Sequence, residues 1–294
     1  MNEKLSYFLL SLKKTALRQG LGCPSCGSEV SGCESRKYWV TTLRRCDRCK
    51  ILFRAPVTTE DENRAYYQAD YKEGFTTDMP EPAALDAMKR ALFKGSPKDF
   101  QPHVDLFRAL GLKPGAAVLD FGCSWGYGSW QFMQAGFAVK GFEISEPRGK
   151  YARRMLGVEV VNDLEGLAGT FDLVFSSHVL EHVPAVAATL GRMRELLKPG
   201  GLLVILTPNG SAAYRKREPI FWRKAWGLKH PYFLDDGYYR SFFADWPYYL
   251  ASGPADLEQV RVWAASSEQR MGDLGCSELR LIARKTASVT RGQG

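Results

Sequence analysis

The sequence predicts an α/β fold: a doubly wound, mostly parallel sheet that ends in an antiparallel hairpin, with a small cysteine-bearing module in front. Three observations predict it. Short apolar runs alternate with amphipathic stretches from about residue 116 onward, a glycine-rich turn follows the first run, and two Cys-x-x-Cys pairs lie near the start. The runs "AAVLDFG", "AVKGFEIS", "EVVN", "FDLVFSSH" and "GLLVILTP" are continuously apolar, as expected of parallel strands covered on both faces. Between them "PRGKYARRML" and "AVAATLGRMRELLK" read as helices. Two further runs, "QVRVWAAS" and "SELRLIARK", are expected to close the chain as the antiparallel hairpin. Sheets of this kind bind ligands outside the C-terminal ends of their strands, near the switch in strand order.

The 294 residues are 45% hydrophobic and 24% charged, which suits a globular protein with one large and one small domain. No apolar run approaches the roughly 18 residues that cross a bilayer. The opening "MNEKLSYFLLSLKKTALRQG" lacks the apolar core and cleavage site of a secretory signal. It reads as a helix with Leu5, Phe8, Leu9 and Leu12 on one face, for docking on its own protein, a twin subunit or a partner. Attachment to a membrane surface is the alternative. The expected organisation is a helix over 1–20, the cysteine module over 21–58 and a helical linker over 59–110. The large domain follows over 111–286 with an acceptor-side insertion at 209–258, then a flexible tail over 287–294. The expected compartment is cytoplasmic.

Five of the seven cysteines fall in the first 49 residues. "CPSCG" supplies Cys23 and Cys26, "CDRC" supplies Cys46 and Cys49, and 19 residues separate the pairs, within the range for a four-cysteine zinc site. Four thiolates close a tetrahedral Zn²⁺ and leave no open position, so the ion is expected to be structural. Such sites contribute about 10–16 kcal/mol of apparent binding energy in small peptides. Disulfides are the competing reading and require an oxidising compartment. The stretch resembles a zinc ribbon, with "KYWVTTLRRC" and "KILFRAPV" as its strands and Lys50 where ribbons often carry glycine. Cys33 reads as a spare thiol that would replace Cys26 if the first turn were distorted.

"VLDFGCSWGYG" sets Asp120 at the mouth of the turn formed by Gly122, Gly126 and Gly128. A carboxylate repels phosphate, and the glycine spacing is not that of a dinucleotide loop. A ligand with a cationic head and no phosphate suits the turn better. The stretch resembles the first motif of class I S-adenosylmethionine-dependent methyltransferases, with Ser124 where glycine is common. "GFEIS" resembles the second motif, "VVNDLEGL" the adenine region, and "FDLVFSSHVLEHVP" and "LKPGGLLVILTPN" the fourth and fifth strand regions. The resemblance runs over about residues 115–209. It implies a Rossmann-like domain and S-adenosylmethionine as cofactor, whose ammonium an acidic group favours. It also implies that Glu143, 23 residues after Asp120, accepts both ribose hydroxyls. Asp163, or Asn162 in its place, would face the adenine amine, with Ile144 and Ser177 also lining the site.

The acceptor is less legible. If the nucleophile needs a base, His178 at the end of the fourth strand region is the first candidate and His230 the second, with Asp235, Asp236, Tyr238 and Tyr239 as substitutes. "HVLEH" also fits the H-x-x-E-H pattern of inverted zinc peptidases, but it begins at a strand end, and His182 reads as a structural histidine. Residues 215–229, "RKREPIFWRKAWGLK", hold six Lys or Arg against one Glu within a chain of net charge +8. With the aromatic "HPYFLDDGYYRSFFADWPYYL" they are expected to cover the C-terminal edge for an anionic acceptor. A ribbon followed by these motifs resembles bacterial proteins of glycan and sugar modification, which implies a sugar hydroxyl on a nucleotide-linked sugar or polysaccharide. An RNA methyltransferase and a non-catalytic cofactor-binding adaptor are the alternatives.

Overall fold

The computed structural model describes residues 3–57, 59, 62, 78–227 and 230–286. The front of the chain is helix α1 (Glu3–Ala16) and strands β1 (Ser31–Lys37), β2 (Thr41–Cys46) and β3 (Leu52–Ala55), paired antiparallel in that order. The expected helix is present, and Leu5, Leu9 and Leu12 on it stay exposed. The two ribbon-like strands are also found, although Tyr38 and Trp39 form the turn between β1 and β2 rather than part of a strand. Of the linker, residues 63–77 lie outside the described residues; so does the expected tail over 287–294. What is described contains helices α2 (Pro82–Arg90) and α3 (Gln101–Ala109).

The large domain begins with β4 (Ala117–Phe121), α4 (Tyr127–Gln134), β5 (Ala138–Phe142), α5 (Glu146–Tyr151) and β6 (Glu159–Val161). It continues through β7 (Phe171–Ser177), α6 (Val186–Leu196) and β8 (Leu197–Pro208). Strands β4 to β8 are mutually parallel, and the order β6-β5-β4-β7-β8 puts the switch at β4. Alternate residues of a strand face opposite sides, and both sides here are covered. Leu119, Val174, Leu203 and Ile205 pack with Leu190, Met193 and Leu196 of α6. Val118, Phe175, Val204 and Leu206 pack with Val104 and Phe107 of α3 on the other side. That double burial explains the continuously apolar strands.

After β8 come α7 (Ala212–Arg217), α8 (Pro219–Ala225), β9 (Tyr232–Phe233) and α9 (Asp236–Phe242). The chain then forms β10 (Tyr248–Ser252), α10 (Leu257–Ser266), β11 (Gln269–Met271) and β12 (Glu278–Arg284). Strand β9 pairs antiparallel with β3, so the front sheet takes its fourth strand from the insertion. Cys23, Cys46, Ile51 and Phe53 share one buried cluster with Tyr238, Tyr239 and Phe243. The cysteine module and the large domain therefore have a common core.

The expected hairpin is corrected in one half. "SELRLIARK" contains β12, antiparallel to β8, but "QVRVWAAS" lies in α10, and the strand beside β12 is β10. Val260 and Trp263, three residues apart, are its buried positions. A period-two reading missed the helix start: the Asp256 carboxylate accepts the N–H groups of Glu258 and Gln259, both at 3.1 Å. The insertion accordingly ends before Tyr248, since β10 belongs to the main sheet. Among the described residues no helix is long and apolar enough to cross a membrane.

Replacing Asp256 by Ala removes both capping bonds and should cost about 1 kcal/mol of stability in denaturant unfolding. Unchanged stability would contradict the capped helix.

Candidate active site

The turn after β4 needs backbone that few side chains allow. Gly122 and Gly126 have φ of 83° and 87°. A Cβ on Gly122 would lie 2.3 Å from Cγ2 of Val179, and one on Gly126 2.7 Å from Cβ of Ala152. Glycine is required at both positions. Ser124, where glycine is common, also takes a left-handed φ of 53°. It is held there at both ends: its N–H donates to Glu143 Oε2 at 2.9 Å, and Arg148 donates to its Oγ at 3.3 Å. The Gly122 and Cys123 N–H groups donate to the Phe142 carbonyl at 2.8 and 3.0 Å, closing the turn onto the end of β5. Gly128 sits in the first turn of α4 against the Phe100 ring.

Glu143 follows β5 and is buried. Besides Ser124 it accepts the Ser145 N–H at Oε1, at 2.8 Å. Burial raises its pKa, opposed by those hydrogen bonds and by the Arg148 charge. A carboxylate offers about four acceptor positions, so two bonds leave capacity for a pair of hydroxyls. Asp120 is also buried, and Oδ2 accepts the Ser129 hydroxyl at 2.6 Å. Burial pushes its pKa up to about 7; the Ser129 bond opposes this and the Glu143 charge adds to it. An open cleft of about 630 Å³ lies beside the ends of β5 and β6, lined in part by Phe142, Asn162, Asp163 and Arg192. Neither Asp120 nor Glu143 lines it. Asp163 accepts the Glu165 N–H at 3.0 Å, while Asn162 donates to Glu146. Ile144 is exposed at the rim, and Ser177 ends β7 half-buried.

The loop after β7 carries the histidines and leans on the glycine turn through Val179. His178 has both ring nitrogens engaged, Nδ1 with Glu181 at 3.2 Å and Nε2 with Glu278 at 2.9 Å. Burial disfavours its charge, yet the hydrogen bonds with Glu181 and Glu278 outweigh burial and hold its pKa at about 10. With no open nitrogen, its expected rank as first-choice base is revised. His230 keeps Nδ1 against the Ala225 carbonyl at 2.6 Å, and its ring meets that of His182 with centroids 4.8 Å apart. The "HVLEH" segment is not helical, so His178 and His182 do not share a helix face. In the sequence Glu181 stands out only as part of the H-x-x-E-H pattern. It is buried and joins His182 and His230 in one cluster.

The substitutes for a histidine base are largely occupied. Asp235 accepts the Tyr238 N–H and pairs with Arg45 at 2.7 Å. The Tyr239 hydroxyl meets Thr207 in full burial, and Tyr238 meets Ser25. Asp236 opens α9. The rings expected to form a cover are core instead: Tyr232, Phe233, Tyr238, Tyr239, Phe243 and Trp246 are all buried. The basic run is partly built into the fold, with Arg215 on Glu34 at 2.9 Å and Arg223 on the Arg36 carbonyl at 2.9 Å. Lys216, Arg217 and Lys224 stay exposed.

At the front, the Sγ atoms of Cys23, Cys26, Cys46 and Cys49 all lie within 4.8 Å of one another. The pairs Cys23–Cys49 and Cys26–Cys46 stand 3.6 and 3.5 Å apart. Those distances are too long for a disulfide, whose sulfurs are about 2.05 Å apart. They match the spacing of about 3.8 Å that tetrahedral Zn–S bonds of about 2.3 Å impose. Lys50 adopts φ 66°, the conformation glycine would supply, and its N–H donates to the Cys46 carbonyl at 3.0 Å. Cys33 is exposed and outside the cluster.

Comparison with known proteins follows this geometry. A family described as a methyltransferase domain matches residues 97–251, more than half of the chain. A ubiquinone biosynthesis O-methyltransferase of Xanthomonas campestris pv. campestris (strain B100) is 37% identical over 110 residues, 34% of this chain and 46% of that protein. A 2-methyl-6-phytyl-1,4-hydroquinone methyltransferase of Synechocystis sp. is 34% identical over 146 residues, 43% of this chain and 45% of that protein. The chain thus spans a little under half the length of these curated relatives. The plantazolicin methyltransferase BpumL, solved with a pentazolic desmethylPZN analog and S-adenosylhomocysteine, superposes with TM-score 0.50 at 11% identity. The match covers 76% of this chain and 96% of that one, a likeness of fold alone. The parallel sheet, the glycine turn at its switch point and the family match agree: the chain belongs to the methyltransferase-domain family.

Proposed function

We propose that the protein methylates a sugar hydroxyl of an anionic acceptor, a nucleotide-linked sugar or a polysaccharide. The observation that carries the reading is the contact between the turn at Gly122 and the loop bearing Val179, Glu181 and His182. It brings a polar cluster to the cofactor end of the sheet. In this reading Glu143 accepts the ribose hydroxyls, and Asp120 with the Gly122–Gly128 turn faces the methionine part. Asp163 and Ile144 border the adenine, and Ser177 and His178 lie towards the methyl. The acceptor oxygen attacks the methyl carbon in line with sulfur and the C–S bond breaks. The sulfonium becomes the neutral thioether of S-adenosylhomocysteine. Alignment of the two reactants supplies most of the acceleration, about 7–11 kcal/mol when geometry is favourable.

Support for an oxygen acceptor comes from relatives named as O-methyltransferases. Support for an anionic one comes from the exposed Lys216, Arg217 and Lys224 within the insertion. His230, whose Nδ1 faces the Ala225 carbonyl and whose Nε2 stays open, replaces His178 as the imidazole facing the acceptor. The four-cysteine cluster fits a structural Zn²⁺, which would fasten β2 to the turn at Cys23 and, through β3 and β9, steady the segment that carries His230. RNA as acceptor draws only on the basic run, two of whose arginines are taken up within the fold.

Two results test the reading. The pKa of about 7 makes Asp120 more protonated in the folded chain than in the unfolded one between pH 3.8 and 7. Its contribution to the stability of the ligand-free chain is therefore present at low pH and is lost as pH rises through about 7. Binding an ammonium needs the ionised form, so affinity for S-adenosylhomocysteine should rise several-fold from pH 6 to pH 8. The rise should vanish in Asp120→Asn; a flat wild-type profile would remove Asp120 from the cofactor's ammonium. For the acceptor, methyl-labelled cofactor is offered with nucleotide-linked sugars, catechols and RNA. Label in the sugar pool supports the proposal, and label confined to the catechols or RNA overturns the sugar assignment.

A further inference from the structure

We infer that Glu181, His182 and His230 bind a divalent transition-metal ion at the end of β7, and that this ion receives the acceptor hydroxyl. The second half of the inference rests on the hydroxyl-acceptor reading above. One ligand atom from each of the three side chains lies within 4.8 Å of the others. They come from distant parts of the sequence. The loop after β7 and the approach to β9 are tied together where the Tyr232 N–H donates to the Glu181 carbonyl at 3.4 Å and the Tyr232 hydroxyl donates to the Pro184 carbonyl.

Independent of that clustering, the Glu181 carboxylate is incompletely satisfied. The residue is 1% exposed and Oε2 has no hydrogen-bond partner. A buried carboxylate oxygen left without a partner costs free energy comparable to several lost hydrogen bonds. Among the described residues its ion-pair partners are histidines alone, His178 at 3.2 Å and His182 at 3.9 Å. A cation between Glu181, His182 and His230 would give Oε2 the partner it lacks.

His230 is prepared for that role. Its Nδ1 faces the Ala225 carbonyl at 2.6 Å, which fixes the proton on Nδ1 and leaves the Nε2 lone pair to bind. Metal-binding histidines usually hold their second nitrogen against a carbonyl or carboxylate in this way. His178, outside the ligand set, braces the Glu181 carboxylate through Nδ1 while Glu278 braces its Nε2. One carboxylate and two imidazoles suit Mn²⁺, Fe²⁺, Co²⁺ or Zn²⁺ better than Ca²⁺ or Mg²⁺, whose preference is all-oxygen. Three protein ligands leave positions open for a hydroxyl.

An ion there acts as a Lewis acid, lowering the pKa of the bound hydroxyl. The O–H proton leaves to solvent, and the oxygen forms its bond to the methyl carbon. The C–S electron pair returns to sulfur, so the sum is alcohol plus S-adenosylmethionine giving methyl ether, S-adenosylhomocysteine and one proton. Nothing is oxidised or reduced.

The test is a titration of the purified full chain, its zinc left in place, with Mn²⁺ followed by electron paramagnetic resonance. Mn²⁺ avoids thiolate sites, so it reports on Glu181, His182 and His230 rather than on the cysteines. Wild type should bind one Mn²⁺ per chain, and His182→Ala and His230→Gln should each weaken it by at least about 10-fold. Binding of S-adenosylhomocysteine is measured on the same samples and should persist, which shows that the variants fold. No Mn²⁺ binding by wild type up to about 1 mM, or equal binding by both variants, overturns the ion site while leaving the methyltransferase assignment intact. Mn²⁺ binding without any quickening of methyl transfer to the identified hydroxyl overturns the ion's role at the acceptor.

Discussion

The Glu143 carboxylate is the interaction on which the site depends. It accepts the N–H of Ser124 on one side and of Ser145 on the other, at 2.9 and 2.8 Å. These bonds tie the turn after β4 to the start of α5. Without that anchor a serine at φ 53° would have little to hold it in a conformation that favours glycine. In the proposed function the same buried carboxylate also accepts two ribose hydroxyls, so that cofactor recognition and the local fold would rest on one group.

A second constraint joins the two ends of the chain. Strand β9 completes the front sheet by pairing with β3, and the residue two positions before it is His230. Arg45 of β2 reaches Asp235, which in turn caps α9. The cysteine cluster is therefore joined to the segment after β8 instead of standing apart as a tethered module. Strand pairing and a shared core connect the cluster to the segment that holds His230.

Much of this was legible in the sequence, for physical reasons that differ by element. Continuously apolar runs identified the parallel strands because the central ones, β4, β7 and β8, are buried on both faces, as Leu119 and Val118 illustrate on opposite sides of β4. Gly122 and Gly126 were legible because only glycine fits where Val179 and Ala152 approach. The four cysteines were legible by spacing. Two things were not. "QVRVWAAS" carries apolar residues at both period two and period three, and only the Asp256 cap decides for helix. The grouping of Glu181 with His182 and His230 spans about 50 residues and is made where Tyr232 bonds the Glu181 and Pro184 carbonyls, which no local pattern announces. The aromatic-rich insertion misled because ring content is the same for a core and for a substrate cover; burial alone separates them.

The most direct test of Glu143 as the anchor of turn and cofactor is calorimetric titration with S-adenosylhomocysteine, run beside NAD, on the wild type and on Glu143→Ala. Two hydrogen bonds to a charged acceptor are worth about 1.5–3 kcal/mol each, and 1.4 kcal/mol is tenfold in affinity. Wild type should bind S-adenosylhomocysteine and not NAD, and Glu143→Ala should lose at least about 100-fold. A preference for NAD, or equal S-adenosylhomocysteine affinity in the variant, would contradict the assignment of this carboxylate.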